Sequence, residues 1–177
     1  LPPLDRVVDV VEWWEDGVIA RHFVGPGSES ARPLADQELL RGLDGDDLAA
    51  VLAAVTHRTL AAGDVLAREG DPADAVFLLL AGQVSVRLGA DASPTSPRVA
   101  AFDPGVAVGE LALLEGGTRS ASLIADTPAE VAVLTVAALA RVTAERPVVH
   151  GVVMGNLARS LATRLRRAND RIRVLDR

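Results

Sequence analysis

Cysteine is absent from the 177-residue chain, which removes disulfides, iron–sulfur clusters and thiolate catalysis. Long apolar runs are missing too. Even LAAVLAAV at Leu48–Val55 and AVFLLLA at Ala75–Ala81 are far shorter than the roughly 20 residues a membrane-spanning helix needs. No charged segment leads into an apolar one at the start, so no signal peptide is expected. A cytoplasmic protein, or the cytoplasmic domain of a membrane protein, is expected instead, with any membrane reached only through a longer parent. The opening Leu-Pro-Pro, without Met, is the start expected of a piece of such a parent. Lysine is lacking: all 18 basic residues are Arg, and with abundant Ala, Gly and Val this fits a high-GC bacterial genome. His22, His57 and His150 lie far apart and form no H-x-H or H-x(3)-H pair, so no metal is expected. No G-x-S-x-G, P-loop or Cys/His pair appears, and catalysis within these residues is not expected. A net charge of −6 argues against a nucleic-acid partner, and the arginine-rich RLRRANDRIR is read as a helix face.

What is present is apolar substance. The chain is 49% hydrophobic with a mean hydropathy of +0.26, enough for a well-filled core. Residues 1–33 are read as a helix and linker from a preceding domain. In Leu4–Phe23, Val7, Val8, Val11, Trp14 and Val18 recur at helical spacing and predict an amphipathic helix, and FVGPGSESARP follows as linker. Asp44, with Asp47 three positions on, predicts a capping-box-like start for the helix DGDDLAAVLAAV. A calcium loop would need a Gly and a distant Glu that are missing from this spacing.

From His57 to Leu134, short Val/Leu/Ala runs alternate with turn signals such as Gly70-Asp71-Pro72 and Asp103-Pro104-Gly105, the pattern of an all-β sandwich or barrel. Val84, Val86 and Leu88 are predicted to share one strand face. Beyond it, VAALARVTAE predicts a helix that stops before Pro147, which opens a long helix reaching Leu175. Val149, Val153, Leu157, Leu161, Leu165, Ala168, Ile172 and Leu175 run along it, and the last five are spaced as a heptad seam. That seam predicts a homodimer through paired helices; packing on its own domain is the alternative. The divisions are thus 1–33, a β domain at 34–134, and helices at 135–177.

The chemistry concentrates in VGELALLEGGTRSA, Val108–Ala121. Glu110 and Arg119 either neutralise each other or jointly hold a ligand. ELALLE is too short for a stable helix alone, but one turn between strands would expose backbone N–H groups near Leu111 and Ala112, an anion site. Gly109 lets a ligand approach the backbone, and Arg119 offers a two-pronged guanidinium to phosphate oxygens. Glu110, of the same sign as phosphate, would accept from a hydroxyl instead. A small ligand with a singly charged phosphate and a neighbouring hydroxyl meets both demands.

The string G-E-L-A-L-L-x(4)-R-S-A resembles the phosphate-binding cassette of the cyclic nucleotide-binding domain family, which includes bacterial catabolite activator proteins and regulatory subunits of cyclic AMP-dependent kinase. G-D-V-L-A-R-E-G-D-P-A-D at Gly63–Asp74 and F-L-L-L-A-G-Q-V-S-V resemble other strands of that family, and the likeness spans Leu34–Leu175. It implies a mainly β fold: an eight-stranded antiparallel, jelly-roll-like β-roll with flanking helices, a short cassette helix and a long C-terminal helix. It also implies a regulatory sensor that binds cAMP, in preference to cGMP, and relays occupancy to a partner domain. By resemblance, Glu110 would accept from the ribose 2′-hydroxyl and Arg119 would bind the cyclic phosphate. Backbone amides near Leu111, Ala112 and Ala121 would complete the cradle, and Ser120 would add a hydroxyl to the phosphate or to the purine edge. Val86, Arg164 and Leu165 would meet the base. Val108 stands where many members carry an aromatic residue. The alternative is a degenerate, non-binding relative kept as a dimerisation module, with Glu110 and Arg119 a plain ion pair. LDRVVDVVEWWED resembles the last helix of STAS domains: Trp14-Glu15-Asp16 fits and Val10-Val11-Glu12 departs. It implies an upstream partner domain in a parent such as an anion transporter or a long glutaminase.

Overall fold

The computed structural model describes residues 9–15, 18–24, 34–93 and 96–175. Strands β1 (Asp9–Glu15) and β2 (Val18–Val24) form an antiparallel pair. Helix α1 (Gly45–Ala54) precedes eight strands: β3 (Thr56–Leu60), β4 (Val65–Ala67), β5 (Ala75–Ala81), β6 (Val84–Arg87), β7 (Arg98–Phe102), β8 (Ala107–Val108), β9 (Ser122–Ala125) and β10 (Ala129–Thr135). They make two four-stranded antiparallel sheets, ordered β3-β10-β5-β8 and β4-β9-β6-β7. Helices α2 (Val136–Glu145) and α3 (Pro147–Leu175) follow. This is the eight-stranded roll with flanking helices implied by the resemblance.

Strand β5 explains the apolar run at Ala75–Ala81. Buried along its whole length, it presents Val76, Leu78 and Leu80 to a core shared with α1, α2 and α3. Its alternate residues Ala75, Phe77 and Leu79 face the interior of the roll, against Leu123, Val131 and Val108. A strand covered on both faces must be apolar throughout rather than alternating.

Helix α3 uses its apolar stripe first on its own domain. Val149, Val153 and Leu157 are buried in the helix-side core, whereas Leu165 is 63% exposed. Pro147 opens α3 as expected, and the Thr135 hydroxyl caps α2 by accepting from the Ala138 N–H at 3.0 Å.

Three expectations are corrected. The helix predicted over Leu4–Phe23 is replaced by β1 and β2, so the likeness to a STAS helix has no helix to rest on there. The reason is visible in the sequence: β-branched and aromatic residues make four of the seven positions in each run, and Asp16-Gly17 separates them, the strongest two-residue hairpin signal. Asp44 flanks α1 but its side chain makes no capping bond, and the Asp47 carboxylate instead takes the Arg146 guanidinium at 2.9 Å. A charge-assisted partner at the α2–α3 junction outcompetes a neutral backbone donor. Leu88 does not join Val84 and Val86 in the roll, because β6 ends at Arg87 and Leu88 stands beyond it, exposed.

Residues 34–41 lie between roll and helix. Two short 3-10 turns, Leu34–Asp36 and Glu38–Leu40, bury Leu39 and Leu40. The buried Gln37 donates to the Leu79 carbonyl (3.1 Å), and the Glu38 N–H to the Gly105 carbonyl (3.0 Å). From α3, the buried Asn156 amide donates to the carbonyls of Leu39 (3.0 Å) and Arg41 (2.7 Å). Asn156→Ala strips two carbonyls of a partner at once. It is expected to cost about 1–3 kcal/mol, measured as a lower urea midpoint with unchanged slope.

Candidate functional site

Strand β8 delivers the chain to Gly109, whose φ of +72° only glycine adopts without strain. A 3-10 turn, Glu110–Leu113, follows directly, so the single turn expected between strands is present. The Ala112 N–H closes that turn on the Gly109 carbonyl at 3.2 Å, a long bond. After the Gly116-Gly117 loop, Arg119 is fixed by its backbone: its N–H donates to the Asp71 carbonyl (2.8 Å), and its carbonyl accepts from the Gly70 N–H (2.9 Å). The Gly70-Asp71-Pro72 turn is therefore the bracket that aims the Arg119 side chain.

Glu110 and Arg119, both 7% exposed, do not neutralise each other. Arg119 Nη1 donates to the Gly109 carbonyl at 3.2 Å, and its guanidinium carbon lies 4.9 Å from the centre of the Phe77 ring. Its nearest carboxylate is Asp74, 3.9 Å from Nη2 on a side chain that is 80% exposed, a contact of little energetic weight. Its Nε is buried with no hydrogen-bond partner. Burial pulls the Arg119 pKa below the ordinary arginine value, opposed by the Asp74 and Asp71 carboxylates. Arginine stays a cation regardless. The result is a buried positive charge with incomplete partnership.

Glu110 is held by Arg164 of α3, whose Nη1 donates to Oε1 at 2.8 Å while Nη2 donates to the Ala107 carbonyl at 2.5 Å. The Arg164 plane lies over Phe102, 4.6 Å from the ring centre. The ion-pair alternative thus named the wrong base: Arg164, one helix away, is the partner of Glu110.

These groups border a cavity of about 240 Å³. Gly109, Glu110, Leu111, Ala112, Arg119, Ser120 and Ala121 all line it, as do Val86 and Arg164. Leu165 is not among the lining residues; it points elsewhere on α3 and is exposed. The lining also includes Phe102, Val99, Ala100 and Leu123, which the sequence reading did not name. A signal for the aromatics existed, since the chain has only three Phe, and Phe77 and Phe102 each carry an arginine. One end of the cavity offers a desolvated cation and a glycine-lined backbone, and the other an apolar wall. Such a site suits an anion borne on a flat, largely apolar body.

Residues 57–146 match the cyclic nucleotide-binding domain family. The chain belongs to that family. It is 31% identical to the N-terminal domain of a transcriptional regulator from Streptomyces coelicolor, covering 77% of this chain and 92% of that one with a TM-score of 0.61. It is 27% identical to the regulatory domain of Toxoplasma gondii PKA crystallised with cAMP, covering 62% of this chain and 41% of that one with a TM-score of 0.54. It is also 38% identical to Glutaminase 1 of Bradyrhizobium diazoefficiens over 93% of this chain, yet spans only 26% of that protein's length. The family and these regulatory neighbours make this cyclic nucleotide-binding domain a non-enzymatic regulatory module.

A Cβ on Gly109 would stand 2.6 Å from Arg119 Nη1 in a backbone conformation side chains rarely adopt. Gly109→Ala is therefore expected to displace the guanidinium and weaken cyclic nucleotide binding at least about tenfold, for a loss of stability near 1 kcal/mol. Parallel calorimetric and thermal titrations check both halves of that expectation.

Proposed function

We propose that the chain is a sensor that binds cAMP in preference to cGMP and relays occupancy to other parts of a larger protein. The buried, under-partnered Arg119 carries this reading. A protein does not ordinarily keep a desolvated cation short of acceptors unless a ligand supplies them. The equatorial oxygens of a cyclic phosphate would meet Arg119, with the backbone about Gly109, Leu111 and Ala121 and the Ser120 hydroxyl beside it. The ribose 2′-hydroxyl would donate to Glu110, and the base would lie against Val86, Val99 and Leu123. Among the described residues of that wall no carboxylate stands ready to accept from the N1–H and amino group of guanine, which favours adenine. The domain divisions at 1–33, 34–134 and 135–177 are proposed to separate an upstream region, the sensor and the relaying helices.

The parent we infer is a larger cytoplasmic protein, or a membrane protein with this domain in the cytoplasm, such as a glutaminase or a transporter. The near-complete alignment with Glutaminase 1 supports the first. Among the described residues no helix is long and apolar enough to cross a membrane. Relay would run along α3, which reaches the cavity at Arg164 and turns Leu165 outward for a second copy.

Titration calorimetry with cAMP and cGMP tests the binding. Heat with cAMP, and a weaker response to cGMP, is expected. Silence from both at millimolar ligand leaves the non-binding dimerisation module as the answer. Arg119→Met should lower cAMP affinity about a hundredfold or more, the loss of two charge-assisted hydrogen bonds. It should leave the melting temperature without ligand unchanged or raised, because a costly buried charge is gone. For the relay, Leu165→Glu should shift sedimentation toward monomer while cAMP affinity persists.

A further inference from the structure

Arg164 is held by more than the cassette, and Glu38 and Ser160, which support it, are not among the residues that line the cavity. Along α3, Asn156, Ser160 and Arg164 are four apart and form a polar stripe beside the buried apolar one. All three reach the segment 38–41: Asn156 binds its carbonyls, the Ser160 hydroxyl donates to Glu38 Oε1 at 2.7 Å, and Arg164 Nη2 lies 3.7 Å from the same oxygen. Glu38 is fixed at its own backbone by the N–H bond to Gly105. A guanidinium has five donors in one rigid plane. Here that plane rests on Phe102, its Nη2 donates to the Ala107 carbonyl, and the Glu38 carboxylate lies 3.7 Å from the same nitrogen as a charge partner. The pinned fork then fixes Glu110 through one oxygen, leaving the rest of a carboxylate that is only 9% exposed to face the cavity.

We propose that Glu38 and Ser160, acting through Arg164, are positioning residues that aim the Glu110 carboxylate at the ligand's sugar hydroxyl. The inference rests on the reading of Glu110 as the hydroxyl acceptor. It moves Arg164 from a base contact to the sugar end of the site and gives two residues outside the cavity a share in specificity. Glu38 and Ser160 hold no ligand atom themselves. Their effect is confined to one functional group of the ligand, which distinguishes positioning from general support of the fold.

The test compares the full chain's affinity for cAMP and for 2′-deoxy-cAMP, with cGMP as a base control. The unaltered chain is expected to favour the ribose form about tenfold or more, the weight of a hydrogen bond to a buried carboxylate. In Arg164→Met that ratio should collapse toward equality. In Glu38→Gln, which preserves shape, it should shrink about threefold, as for a part-exposed ion pair. The cAMP to cGMP ratio should not move in either. Equal weakening of ribose and deoxyribose ligands in Arg164→Met, or a change in base preference, would overturn the proposal and return Arg164 to the base. An unchanged ribose preference in Glu38→Gln would overturn the part played by Glu38 and Ser160. If the unaltered chain shows no ribose preference, the acceptor role of Glu110 fails, and the positioning role with it.

Discussion

The arrangement turns on one electrostatic constraint: a guanidinium kept out of water without a carboxylate of matching depth. Taking a cation from water into a protein interior costs several kcal/mol unless good partners replace the solvent. Arg119 has a carbonyl, an aromatic face and a distant exposed acid, and its Nε has no partner. The surrounding roll has to hold this against the tendency of a long flexible side chain to swing outward. It does so through backbone bonds to the Gly70–Asp71 turn and through Phe77 on a strand buried on both faces. Phe77 belongs to the same strand whose alternate residues anchor α1, α2 and α3. The floor of the site and the seat of the helices are thus one structural element.

Separate partners for the acid and the base follow from the same constraint. Were Glu110 bonded to Arg119, each would satisfy the other and the cavity would be electrostatically quiet. Arg164 takes Glu110 instead, so Arg119 keeps its charge for the cavity while Glu110, bonded through one oxygen, is left as a hydrogen-bond acceptor. A ligand carrying both an anionic group and a hydroxyl donor matches that polarity, while a simple anion would meet only half of it.

Much of this was legible in the residues, and the failures have definite causes. Turn spacing and the break before Pro147 led to a β domain followed by helices, because each is a local rule, while the eight-stranded roll came from the family resemblance. The cassette residues were legible because they are contiguous, and all seven border the cavity. Contacts across the fold were not. Arg164 pairs with Glu110 across 54 positions, and Ser160 with Glu38 across 122, separations at which no periodicity reports. The N-terminal error was of another kind. Valines at helical spacing were weighed above β-branching and the Asp16-Gly17 dipeptide, and the turn chemistry prevailed. Leu165 was assigned to the base by likeness alone, though its heptad position already placed it off the stripe that faces the cavity.

Helix α3 makes two kinds of contact whose strengths differ along its length. Its first half is set in the core by Val149, Val153 and Leu157, each essentially inaccessible, and loss of those contacts would amount to unfolding. From Ser160 onward, apart from Leu161 at the edge of that core, its described contacts to the rest of the domain are polar or cation–π and part-exposed, made to Glu38, Glu110, the Ala107 carbonyl and the Phe102 ring. Contacts of that kind carry about 1–3 kcal/mol, the same range as a typical coupling energy between a ligand and a distant site. Any relay along this helix must therefore act on its distal half, since only there can a ligand's differential affinity compete with the bonds being exchanged. Arg164 sits where that half meets the cavity, and Leu165, its neighbour, faces out. Whatever alters the hold on Arg164 alters the presentation of Leu165, because one rigid helical backbone carries both.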